Sequence, residues 1–190
     1  MTTTASQTTR SLLLPRGGST PCSYRIPWPC AGAAPVIVRG ESLHRVWCIH
    51  AALQQMQQLE HARVIWPGPD TSDVRAALDE ISHIVTQRYE ALASWGITRG
   101  ELAPVILAVE EEEIFANGPG HGNQIRDHLL ALAVCGAGAG IQIVLGVSWE
   151  QTMLTAEVLN SAQMIDLHTT AAPVAEHPGP CGYGITMIED

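Results

Sequence analysis

The 190-residue chain contains no lysine: all ten of its basic residues are arginine. Any chemistry that needs a lysine from this polypeptide, whether a Schiff base, a pyridoxal anchor or the lysine of a phosphate loop, is excluded. Basic charge is scarce in total as well, with 10 basic residues against 19 acidic ones and a formal net charge of −9. Nucleic-acid binding draws most of its affinity from neutralised phosphates, so autonomous DNA or RNA binding is not expected. The five cysteines, at 22, 30, 48, 135 and 181, form no C-x-x-C pair and are odd in number. That pattern signals neither a zinc knuckle nor a complete disulfide framework and fits reduced thiols. A clean membrane-length apolar run is also missing. Leu129 to Trp149 is uncharged and long enough, but Gly136, Gly138 and Gly140 break it and Gln142 follows, so no transmembrane helix is expected. Leu12-Leu13-Leu14 is too short for the apolar region of a signal peptide, and the expected location is the cytoplasm.

What is present suffices for one domain. The chain is 46% hydrophobic with a mean hydropathy of +0.10, enough to build a core at this length. Residues 1–33 hold Thr, Ser, Pro, Gly and Arg without hydrophobic periodicity and read as a flexible arm, extended near Tyr24 to Trp28. The folded domain is expected over 34–190. Pro35-Val36-Ile37-Val38 is a short β-branched strand ending at Arg39-Gly40, and Ser42 to Glu60 reads as a helix with Val46, Ile49, Leu53, Met56 and Leu59 on its apolar face. Arg63 to Trp66 is a second strand candidate. A long helix follows, with Val74, Leu78, Ile81, Val85 and Leu92 on one face and Gly96 at its C-terminal cap. Pro104 to Val109 is a continuously apolar strand that exits into Glu110-Glu111-Glu112-Glu113, and a run of four acids is more often a solvated loop than a site. A helix from about Asn123 to Cys135 leads through the turn Gly136-Ala137-Gly138-Ala139-Gly140 into the strand Ile141 to Val147. Helices alternating with nearly all-apolar strands predict an α/β fold, with a mostly parallel sheet covered on both faces and function gathered at the strands' carboxyl ends.

In order and spacing, four segments together resemble the FtsK/SpoIIIE DNA translocases and the related plasmid-transfer motors of actinobacteria, within the P-loop ATPases. They are Ala34 to Leu53, similar to a strand, phosphate loop and helix; Val74 to Gly96, similar to the helix before the acidic strand; Pro104 to Phe115, similar to a Walker B strand; and Leu129 to Trp149, similar to a helix, glycine turn and sensor strand. The resemblance implies a three-layer RecA-like core. It also implies ring assembly or association with a competent motor, with DNA met only inside such an assembly.

Departures from the motifs carry the chemical reading. A working phosphate loop reads G-x-x-x-x-G-K-[ST], its amides wrapping the phosphates and its lysine and hydroxyl serving phosphate and magnesium. Counted from Gly40, the second glycine is replaced by Arg45, the lysine by Val46 and the hydroxyl residue by Trp47, whose indole would stand where phosphates approach. Arg39 and Arg45 remain as groups that could attract an anion at the helix start. The Walker B carboxylates fall at Glu110 and Glu111, and the polar sensor position at Ser148. The family's glycine-arginine pair is Gly136-Ala137 here, which removes the arginine it would offer a neighbour's γ-phosphate. The resulting expectation is a folded domain relieved of ATP hydrolysis, with no cofactor, or with ATP and Mg if nucleotide binding is retained. Two rivals stand beside it: an active translocase with a phosphate loop rebuilt around Arg45 and Glu110, and a plain protein-interaction domain.

Other constellations carry less. Gly118-x-Gly120-x-Gly122 and Gly136-x-Gly138-x-Gly140 do not follow a strand as a dinucleotide fingerprint must. His44, His50 and His61 are not spaced for one helix face, and Ser148 lacks the elbow that a Ser148–His168–Asp166 hydrolase would need. Trp66 and Trp95 read as core or rim packing.

Overall fold

The computed structural model describes residues 22–28, 34–59, 61–67, 71–115, 119–149, 161–167 and 183–189. The chain divides into two compact units, Met1–Cys30 with Thr170–Asp190, and Ala31–Thr169. In the first, β1 (Cys22–Trp28) pairs antiparallel with β7 (Tyr183–Glu189) from Cys22↔Glu189 to Trp28↔Tyr183. The first of these strands coincides with the extended stretch that the sequence suggests.

The second unit is an α/β layer structure. Its sheet contains β2 (Val36–Arg39), β3 (Arg63–Ile65), β4 (Val105–Glu110), β5 (Ile141–Val147) and β6 (Gln163–Asp166), in the order β3-β4-β5-β2-β6. All of its pairings are parallel. The helices are α1 (Ser42–Leu59), α2 (Thr71–Trp95), the short α3 (Glu111–Phe115) and α4 (Pro119–Cys135). Strand β5 lies between β2, which feeds the first helix, and β4, which ends in carboxylates, as in a RecA-like P-loop core. The sheet is therefore wholly parallel where the sequence suggests mostly parallel. β6 has no counterpart in the sequence reading, because Gln-Met-Ile-Asp is too short and mixed to register as an apolar run.

Alternation along the strands sorts side chains to two faces. Ile37, Leu107, Val109, Ile143, Leu145 and Val147 join Leu78 and Ile81 of α2 and Ile125 and Leu129 of α4 in one core. Cys48, Ile49, Ala52, Leu53 and Met56 of α1 are buried outside that cluster, and α1 packs on β2, β3 and β5. Helices thus cover both faces of the sheet, with α1 opposite α2 and α4. The even-numbered residues Ile106 and Ala108 belong to α1's side, and the same parity carries Glu110 to that side.

At the other end of the sheet the glycine turn is held by α2. Residues Gly136–Ala139 form a 3₁₀ turn, and Gly140, at φ 70°, closes it in the left-handed conformation that glycine tolerates. Arg88 donates to the carbonyls of Ala139 (2.9 Å) and Ala103 (2.7 Å), and the Tyr89 hydroxyl donates to that of Cys135 (2.7 Å). The apolar periodicity of this helix does not announce the clamp. Trp95 is also corrected: it is 77% exposed, not packed, because α2 ends there and Gly96 turns the chain away at φ 65°. No helix among the described residues is long and apolar enough to cross a membrane.

Cys48 is fully buried on α1, and desolvation pushes its thiol up to about 12, whereas Cys135 is exposed. Only the thiolate is nucleophilic. At pH 8 a thiol reagent is expected to modify Cys135 in the native protein while Cys48 stays unmodified until denaturant is added. Peptide mapping by mass spectrometry checks this, and early modification of Cys48 would contradict its burial.

Candidate functional site

The carboxyl edge of the sheet brings together Arg39, Gly40, Arg45, Glu110, Glu111 and Ser148. Only Gly40 and Glu41 separate the end of β2 from the start of α1. A connection of two residues cannot encircle a phosphate, and the segment that matches the loop is helical from Ser42 onward. The Gly40 amide donates to the Val147 carbonyl (3.2 Å), and a Cβ at Gly40 would lie 2.9 Å from the Leu167 Cβ. Gly40 is therefore a packing glycine that lets β6's exit close on β2's exit, and its amide is already committed.

Arg45 closes the first turn of α1, on the buried stripe it shares with Cys48, Ile49, Ala52 and Met56. It is fully buried. Its Nε donates to Glu110 Oε2 (2.6 Å), Nη1 to the Gly40 carbonyl (2.9 Å), and Nη2 to both oxygens of Glu112 (2.8 and 2.7 Å). The guanidinium fork thus ties α1 to the β2 exit, to the end of β4 and to α3. Charge-assisted bonds of this kind are short and directional, and a buried guanidinium needs all of its donors met. An anion arriving at the helix start would find this cation already neutralised, contrary to the expectation that Arg45 attracts one.

The acid run is likewise not a solvated loop. Glu110 closes β4 and Glu111 opens α3, at 6% and 7% exposure, while the Glu112 side chain is 56% exposed. The strand's alternation carries Glu110 under the sheet's cover, and Arg45 is the charge that makes its burial tolerable. Glu110 pairs in register with Gly146, and a Cβ at Gly146 would overlap both Glu110 carboxylate oxygens.

Arg39 is held similarly at the neighbouring strand end. Its Nε and Nη2 make a bidentate pair with Asp166 (2.9 Å each), and its Cζ lies 5.1 Å from the Trp149 ring centre. The bond to Asp166 raises the Arg39 pKa above its ordinary value, against the opposing effect of desolvation. Ser148 follows β5 directly, beside Trp149. Val46 is half-buried, and Trp47 is 44% exposed. Among the described residues, the acids Glu41, Glu110, Glu111, Glu112 and Asp166 outnumber the arginines Arg39 and Arg45 at this edge. Its charge favours cations over phosphates.

A second polar cluster lies between α2 and α4, where Arg75, Leu78, Asp79, Gln124, Ile125 and His128 line a cleft of about 180 Å³. Beside it the Ser82 hydroxyl lies 2.7 Å from His128 Nε2 and donates to the Leu78 carbonyl (2.8 Å). With its one proton on that carbonyl, Ser82 accepts from His128. The pair ties two helices together and does not constitute an activated nucleophile.

No family model matches the chain, and no curated protein does. Among solved structures it is similar to EssC (ATPases 2 and 3) from Geobacillus thermodenitrificans, at 12% identity and a TM-score of 0.43, over 85% of this chain and 34% of that one. The chain thus spans about a third of that protein's length.

Proposed function

We propose that the chain is a non-hydrolytic accessory or regulatory subunit built on a RecA-like P-loop core. It acts by packing against a competent FtsK-like motor or against further copies of itself, in DNA transfer or segregation. The single observation behind this reading is the Arg45 guanidinium, bonded to Gly40 and Glu110, positions that the family resemblance assigns to the phosphate loop and the Walker B strand, and to Glu112. The two-residue connection Gly40-Glu41, the absence of lysine and the net charge of −9 support it. The link to DNA rests on the order of the four family-like segments. A contact role without DNA is the second reading, favoured by the acidic surplus at the carboxyl edge.

Purified protein is expected to release phosphate from ATP no faster in the wild type than in Glu111→Gln, with or without magnesium and DNA. Turnover that disappears in Glu111→Gln would overturn the reading in favour of an active ATPase. Affinity capture from the native host is expected to bring down a P-loop motor; a set of partners without one would leave the contact role without DNA.

A further inference from the structure

We infer that Arg45 is a tethered ligand: its guanidinium fills a three-toothed organic-cation site that persists when the side chain is removed. The inference rests on the proposed reading for the meaning of the site and on geometry for its existence. Three acceptors from three places in the fold converge on one planar group: the Gly40 carbonyl after β2, the Glu110 carboxylate ending β4 and the Glu112 carboxylate in α3. Each of the three guanidinium nitrogens meets one of them, at 2.6 to 2.9 Å. These groups only accept, so together they suit a donor-rich cation and reject a phosphate. Their disposition matches a flat fork better than a point charge, a distinction that separates guanidinium from ammonium.

Two of the three acceptors are held independently of Arg45. Gly40 is fixed by its amide bond to Val147 and its packing on Leu167, and Glu110 is seated over Gly146 by the parallel register of β4 and β5. Truncating Arg45 therefore leaves a lined vacancy and does not dissolve the lining. The ligand class is a small planar cation such as guanidinium or methylguanidinium.

The test is thermal unfolding of full-length Arg45→Gly in rising low-millimolar guanidinium chloride, at ionic strength held constant with sodium chloride. A saturable rise of about 4 °C is expected at roughly ten times Kd, since a ligand of the native state shifts the melting temperature by mass action. The wild type should show no rise, and adding Glu110→Gln to Arg45→Gly should abolish the rise. No saturable rise, or an equal rise in the wild type, overturns the inference.

Should Arg45→Gly fail to fold, ¹⁵N NMR of the wild type decides. A slowly exchanging Arg45 Nε–H, lost in Glu110→Gln, is expected, and exchange as fast as that of a surface arginine would overturn it. Phosphate release from ATP by the wild type that disappears in Glu111→Gln would instead defeat the non-hydrolytic reading while leaving these outcomes unchanged, so the two failures are distinguishable.

Discussion

Arg45→Ala is expected to destabilise the Ala31–Thr169 unit by about 3–5 kcal/mol, the cost of removing one member of a buried ion pair. The loss comes less from the missing attraction than from what remains. Glu110, 6% exposed, keeps its carboxylate in a dry place with its cation gone, and the Gly40 carbonyl loses a donor. For a chain of this size the melting temperature should fall on the order of 10 °C. Glu112→Gln should cost no more than about 1 kcal/mol although it touches the same guanidinium, because its side chain is largely in water. The pair Arg45→Met with Glu110→Gln should be more stable than Arg45→Met alone, since the uncompensated charge is then absent. Denaturant melts of these variants check the ordering. Equal losses for Glu112→Gln and Arg45→Ala would show that burial is not what gives Arg45 its weight.

Gly146→Ala should cost about 1–3 kcal/mol, although alanine in place of glycine usually gains some stability by restraining the unfolded chain. The sign is set by sterics. Gly146 lies opposite Glu110 in a strand with ordinary dihedrals, and an added methyl would overlap both carboxylate oxygens and push Glu110 off the Arg45 fork. The effect should vanish in a Glu110→Ala background, where the space is free, giving strongly non-additive melts. Additive losses in the two backgrounds would contradict this account of the glycine.

Much of the core was legible because its central strands are nearly all apolar. Strands such as Val105–Val109 and Ile141–Val147, apolar on both faces, are the mark of a parallel sheet covered on both sides, and the sheet is parallel throughout. The site was legible in its membership but not in its wiring. Arg45 sits at three- and four-residue spacing before Cys48, Ile49, Ala52 and Met56, which is the signature of a buried position. A sequence reading that places the apolar stripe at Val46 misses it because a charged residue is not counted as core. Glu110 shares the parity of Ile106 and Ala108, and that signal too was present, masked by the three acids that follow it. Neither the Arg39–Asp166 pair nor β6 could be found this way. They depend on a pairing between Val36–Arg39 and Gln163–Asp166, across more than 120 residues, that no local pattern announces.

The central claim is that Arg45 stands in for the ligand of a P-loop core, and titration calorimetry with magnesium-ATP on the wild type and Arg45→Gly tests it most directly. The account predicts no heat of binding in the wild type, and none in Arg45→Gly either, because the vacated site offers only acceptors and the Gly40 amide is committed to Val147. Micromolar binding by the wild type that disappears in Arg45→Gly would contradict it and would mean that the arginine grips the nucleotide itself.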